Sequence, residues 1–230
     1  MREFLCNSVY FGVTVSLLGY AIGMALKRRF KKGILNPLLI SILFVILALK
    51  IVQVDFESYN RSAKYLSYLL TPATVCLAIP LYQQIERLKK NLAAVIVGIT
   101  AGVVSSLGSV LALAWLFGLE HEYYVSLLPK SITTAIGYGV SEELGGITTI
   151  TVAVIIITGV LGNILAESIC KIFKIYEPIA VGLALGTSAH AIGTTKALEL
   201  GDIEGAMSSL AIAVAGIMTV VLASVFATFM

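Results

Sequence analysis

Residues 92–118, LAAVIVGITAGVVSSLGSVLALAWLFG, carry no charged side chain. A helix rises about 1.5 Å per residue and a bilayer's hydrocarbon core is about 30 Å thick, so about 20 such residues cross it. Working outward, further apolar segments cover approximately 4–26, 34–54, 64–82, 124–140, 147–170, 178–197 and 206–229. The 230-residue chain is 58% apolar and 13% charged, against roughly 25% charged in a soluble domain. That charge covers a soluble surface poorly, and the chain is too apolar and aromatic for disorder. The expectation is an all-α polytopic membrane protein with seven or eight transmembrane segments. A soluble enzyme and a nucleic-acid-binding domain are excluded on the same ground. One integral membrane domain takes 1–230, with scaffold helices over 1–60 and a core over 61–230.

Charge sets the expected topology. Lys27, Arg28, Arg29, Lys31 and Lys32, then Arg87, Lys89 and Lys90, then Lys171 and Lys174 hold 10 of the 16 basic residues. Cytoplasmic loops are enriched in Lys and Arg, which places the N-terminus outside and 27–33 and 83–91 inside. The first segment has no basic start and no convincing cleavage site, so it reads as a retained helix. Segment 124–140 decides the rest. If it crosses, Lys171 and Lys174 lie outside; if it re-enters, they return inside. Pro129, Gly137, Gly139, Gly145 and Gly146 frame a Ser- and Thr-rich run there, and irregular backbone at membrane depth needs protein or a polar cavity around it.

An internal repeat runs at an offset of 57. Pro72 falls on Pro129, Ala78 on Ala135, Ile79 on Ile136, Val97 on Val154, and Gly102-Val103 on Gly159-Val160. Transporters commonly carry such repeats, with broken helices at matched positions. Here the broken segments are expected near 70–82, 128–146 and 185–196, at Pro72, Pro80, Pro129, Gly186 and Gly193.

The same breaks hold the chemistry. Pro129-Lys-Ser-Ile-Thr-Thr134 sets an ammonium and three hydroxyls in an apolar stretch. Pro129 suits a helix's first turn, and a helix starting there aims free N–H groups at an anion. Lys130, Ser131, Thr133 and Thr134 are what a small carboxylate requires; the alternative is a lysine that snorkels and hydroxyls that bond within their helix. Gly186-Thr-Ser-Ala-His-Ala-Ile-Gly-Thr-Thr-Lys196 is the densest polar insertion, offering Thr187, Ser188, His190 and Thr194. His190 either serves substrate and a coupling proton or is a satisfied structural group. Asn163 and Glu167 share a helix face; Glu167 either belongs to an ion path or pairs at a helix end with Lys171. Lys196 approaches the acidic stretch Glu199/Asp202/Glu204, read as an outer loop. Gly98, Gly102 and Ser106 are spaced for close helix contact. Cys6, Cys76 and Cys170 lack ligand spacing and read as packing residues, and Glu120-His-Glu122 reads as a solvated turn, so no metal and no cofactor are expected.

Leu70-Thr-Pro-Ala-Thr-Val with Ile79-Pro-Leu-Tyr82, Leu128-Pro-Lys-Ser-Ile-Thr-Thr134 with Ser141-Glu-Glu-Leu-Gly-Gly146, and Leu185-Gly-Thr-Ser-Ala-His-Ala-Ile-Gly-Thr-Thr-Lys-Ala-Leu-Glu199 together resemble the LrgB/CidB family of bacterial antiholin-like membrane proteins. The resemblance covers most of the chain after about residue 60. Ala135 departs from it, since members often have proline after the paired threonines. The resemblance implies a bacterial cytoplasmic-membrane protein with a small holin-like partner of the LrgA/CidA type. It also implies one of two roles: control of murein hydrolase activity and cytolysis, or transport of small hydroxy- or keto-acids, as in a related plastid glycolate/glycerate carrier.

The buried polar residues fit transport better than assembly. The leading expectation is membrane transport of a small monocarboxylate of the pyruvate, lactate or glycolate class, with Lys130 attracting it and His190, Glu167 or Asn163 coupling or gating. The alternative is an antiholin-like regulator acting through membrane hetero-oligomers. An enzyme is not expected, for want of a nucleophile–base pair or metal triad. A homodimer is the expected self-assembly.

Overall fold

The computed structural model describes residues 8–30 and 35–230. The start of the first apolar segment, Cys6, Lys31 and Lys32 lie outside the described residues. The chain forms two compact units, Met1–Cys76 and Leu77–Met230.

In the first unit, α1 (Phe11–Phe30) packs on α2 (Pro37–Val52) and on α3 (Phe56–Ala63). Asn36 starts α2 by accepting the Leu38 and Leu39 N–H groups, with Pro37 in the first turn. Asp55 starts α3 by accepting from Ser58 N–H. The Gly12 N–H donates to Ser62 Oγ at 2.7 Å, and the Ser16 and Tyr59 hydroxyls bond at 2.8 Å, so the polar groups between these helices are paired. A 3-10 turn (Lys64–Leu69) leads into α4 (Leu70–Gln83). Pro72 sits in the first turn of α4, where its missing N–H costs nothing. Pro80 lies inside α4, which runs on to Gln83, so the expected break at Pro80 is not there.

The second unit holds the end of α4, α5 (Ile85–Lys90), α6 (Leu92–Phe117), α7 (His121–Leu127), α8 (Thr134–Glu143), α9 (Thr148–Ile172), α10 (Pro178–Leu200) and α11 (Asp202–Ala227). Phe56–Gln83, α6, α9 and α11 are long and apolar enough to cross a bilayer, and α2 is a shorter apolar helix. The chain is a multi-pass helical membrane protein.

Two of the eight apolar segments turn back instead of crossing. The α7–α8 pair is a hairpin. Ser126 near its entry lies beside its exit: Thr151 Oγ1 donates to Ser126 O at 2.9 Å and to Ser141 Oγ at 2.7 Å, and Ile147 N–H donates to Ser126 Oγ at 2.6 Å. Nearer the tip, Gly137 lies against Pro129. The alternative in which 124–140 re-enters is the one this fold adopts. The tip, Leu128–Thr133, reaches Ser106, about three turns or roughly 16 Å inside the end of α6.

The second hairpin carries the break expected near 185–196, and there the chain turns back. α10 breaks at Ala189 (φ −129°, ψ 15°) and His190 (φ 42°, ψ −138°). Eight residues of straight helix span about 12 Å, yet a Cβ on Gly193 would strike Leu185 O, and Val181 and Ala197 share one apolar cluster. The chain has folded back. Glycine was the expected breaker, but Gly186 and Gly193 lie in the helical halves and serve close approach, Gly186 to Ser208 O of α11. Folding back returns Glu199, Asp202 and Glu204 to the face that carries Lys171 and Lys174, so the expected span does not separate them.

Directions follow from the contacts. Gly98 meets Leu183 and Gly102 meets Thr187, so α6 runs parallel to the first half of α10. α9 runs the other way, from Ser126 to Lys171. Tyr124 Oη donates to Phe226 O, putting the end of α11 beside α7. One face of this unit therefore carries α5 and Lys171, and the opposite one Glu120 and Glu122. The hairpins enter from opposite faces. The core between α6 and α11 is built from Val95, Ile99, Val103 and Leu107 against Ala211 and Ala215, at helical spacing.

The offset of 57 reappears in a different unit from the expected one, a long helix followed by a hairpin. α6 followed by the first hairpin, and α9 followed by the second, are the same motif pointing opposite ways, and Gly102 and Gly159 occupy matched positions in it. The Pro72 copy departs: Leu70–Gln83 is a plain helix.

Candidate functional site

Both hairpin tips stop midway along α6, one turn apart. Thr187 of the second hairpin lies against Gly102, and Lys130 of the first lies against Ser106. The Lys130 ammonium donates to Ser106 Oγ and to Ser131 Oγ, each at 3.1 Å, and the two hydroxyls are 2.9 Å apart. Among the described residues no carboxylate pairs with Lys130; the ion pairs given by Lys171 and Lys196 lie elsewhere. A charged lysine at mid-membrane depth costs about 2.5–3.5 kcal/mol on insertion scales. Each hydrogen bond to a charged group returns about 1.5–3 kcal/mol. The hydroxyls make Lys130 tolerable without neutralising it.

The helix expected at Pro129 begins later. Thr133 is the N-cap and Thr134 the first residue of α8, so Pro129–Ile132 form turns that carry the lysine inward, away from α8's own axis.

Lys130 and Ser131 close the inner end of a cavity of about 970 Å³ between α6, α9 and the first half of α10. Asn91 and Glu177 mark its other end, on the Lys171 face. Gly98, Gly102, Leu161 and Leu183 make its walls mostly apolar, and Ser105, Ser109 and Thr158 add hydroxyls.

Thr187 and Ser188 line the same cavity. Their hydroxyls donate to Leu183 O and Ala184 O of their own helix, so toward a ligand each presents oxygen lone pairs until it rotates. Thr133 and Thr134 are half-buried at the start of α8 and do not line the cavity. His190 and Thr194 are buried behind it. His190 Nε2 meets Ile155 O at 3.0 Å. Thr194 donates to His190 O at 3.1 Å, and its hydroxyl meets Ser208 Oγ at 2.7 Å.

The coupling candidates face the second hairpin. Asn163 donates from its amide to Ile192 O at 2.8 Å. Glu167 pairs with Lys196 at 2.5 Å and with Lys171 at 3.8 Å, so the helix-end pairing occurs beside a second one to Lys196. Lys196 joins α9 to the hairpin's exit.

Ser106 was read only as a small contact residue. The signal that it serves Lys130 was the hydroxyl run Ser105, Ser106 and Ser109 in an apolar span.

The comparisons agree with this reading of a membrane protein. The sequence model of the LrgB-like family matches residues 16–229. Antiholin-like protein LrgB of Bacillus mycoides (strain KBAB4) is 40% identical over 221 residues, covering 96% of each chain. Its namesakes in Bacillus cereus (strain B4264) and Bacillus anthracis (strain CDC 684 / NRRL 3495) show the same identity and coverage. No solved structure matches the chain. With the match running through both hairpins and nearly end to end, the chain belongs to the LrgB-like family.

Proposed function

We propose that this protein carries a small monocarboxylate of the pyruvate, lactate or glycolate class across the bacterial cytoplasmic membrane. The observation that carries the reading is the Lys130 ammonium, which has no carboxylate partner among the described residues and closes the inner end of an open cavity. A carboxylate supplies the missing counter-charge, and Ser131, Thr187 and Ser188 offer hydrogen bonds around it. By the positive-inside rule the Lys171 face is cytoplasmic and the N-terminus lies outside. The test is uptake of labelled pyruvate, lactate and glycolate into sealed vesicles holding the purified chain, with and without a small holin-like partner. Uptake that Lys130→Ala abolishes supports the reading. No uptake of any of the three, under either condition, ends it.

The names of the relatives favour a second reading, an antiholin-like regulator of murein hydrolase activity and lysis acting through hetero-oligomers. It predicts that Lys130→Ala leaves lysis control intact. A variant scan that reads lysis and uptake together separates the two.

A further inference from the structure

The two inverted copies do not hold the same conformation. Ser106 in α6 and Asn163 in α9 are matched at the offset of 57, as are Ser131 and Ser188 at the two tips. Ser106 bonds the tip of its own hairpin, at Ser131. Asn163 passes over the matching Ser188 and donates to Ile192 O instead. Further out the difference is larger. Ala94 and Leu183 both line the open cavity, and Leu183 touches α6 at Gly98. Their matched residues, Thr151 and Ser126, are fully buried and bonded to each other. So the matched positions on a long helix and a hairpin's entering arm line open space toward the Lys171 face and are sealed toward the Glu120 face.

Copies related by an inverted repeat have nearly the same intrinsic choices of conformation, so an arrangement open in one is accessible to the other. We infer that the protein has a second vestibule, opening to the Glu120 face between α9 and α7, that leads a small carboxylate to the same pair of tips. Thr151 and Ser126 are its walls, Glu120 at its mouth matches Glu177, and the Ser126–Ser141–Thr151 hydroxyl knot is its closed gate. The seal suits a gate: it consists of short hydrogen-bonding side chains, whose bonds water replaces on opening. In the second state Asn163 takes the role of Ser106 and reaches Ser188, and the cavity toward the Lys171 face closes as Leu183 moves onto Ala94. The inference rests on the transport reading for its ligand, although not for its geometry.

The test uses the full-length chain with Cys6, Cys76 and Cys170 replaced by serine, in sealed vesicles of each orientation. A membrane-impermeant maleimide is applied to Ala94→Cys, Thr151→Cys and Ser126→Cys, with Ala223→Cys as a buried control. Ala94→Cys reacts from the Lys171 face. Thr151→Cys and Ser126→Cys react from the Glu120 face, slowed about 10- to 1,000-fold if the second state is populated at about 0.1–10%. Two positions on opposite walls guard against one variant failing to fold. If neither reacts faster than Ala223→Cys while Ala94→Cys does, the second vestibule does not exist. Labelling from the Glu120 face in a preparation that moves no carboxylate supports the vestibule and sinks the ligand class.

Discussion

His190 Nε2 lies 3.0 Å from Ile155 O, so the tip of the second hairpin is tied to the middle of α9. Ile155 also fills the space left by Gly137 in the first hairpin. One residue of α9 thus touches both hairpins. His190 makes this bond from a left-handed backbone, φ 42°, in a region that costs a non-glycine residue about 1–3 kcal/mol.

The backbone strain and the bond are separable. His190→Gly loses the bond but relieves the strain; His190→Ala loses the bond and keeps the strain. Thermal unfolding in detergent is expected to show His190→Ala as the less stable of the two, with both below the parent.

Ser106 holds Lys130 toward the cavity. Ser106→Ala removes one charge-assisted hydrogen bond, about 1.5–3 kcal/mol. If the bound carboxylate needs that lysine position, KM rises about tenfold or more, and the unfolding temperature falls by several degrees. Uptake kinetics in vesicles check it.

The Lys196–Glu167 pair fastens the second hairpin's exit to α9. Lys196 is mostly buried and also meets Glu199, whereas Lys171 is exposed and reaches Glu167 only at 3.8 Å. Half-exposed pairs contribute about 0.2–1 kcal/mol. Lys196→Ala is expected to lower thermal stability by more than Lys171→Ala, and the exchange Glu167→Lys with Lys196→Glu to recover part of the loss.

Gly193→Ala puts a methyl group against Leu185 O. Backbone cannot yield as a side chain does, so the hairpin halves must part, at about 1–3 kcal/mol. A drop in unfolding temperature larger than that of Gly108→Ala, where nothing lies near, is the expected result.

In the first unit, the Ser58 backbone N–H, then its hydroxyl, hold the Asp55 carboxyl below its ordinary value. The unfolded carboxyl titrates at about 3.9. The stabilisation is therefore complete above that pH and is lost as pH falls through the lower folded value. Asp55→Asn keeps a capping oxygen without the titration. A stability profile from pH 7 downward should fall less steeply for Asp55→Asn than for the parent.

How much was legible varied by residue. The apolar runs named the helices, since burying a backbone in lipid leaves little but helix. Lys130 stood out because a lone ammonium in such a run needs a reason. The offset of 57 was visible through Gly102 and Gly159, and each admits a close side chain of the second hairpin, Thr187 and His190 respectively. Ser106 was missed because its partner lies far along the chain. The break near 185–196 was expected at Gly186 and Gly193 because glycine is the usual bearer of positive φ, and it falls instead on His190, which bonds Ile155 O.

By itself the sequence determined that this is a helical membrane protein, that 128–146 and 185–196 are broken, and its family. These follow from composition and local pattern, which act through the solvent. Whether 124–140 and 178–197 cross or turn back was decided only by tertiary structure. Both outcomes bury the same apolar residues, and the choice rests on contacts such as Ser126 with Thr151 and Gly193 with Leu185, which exist only once the chain has folded.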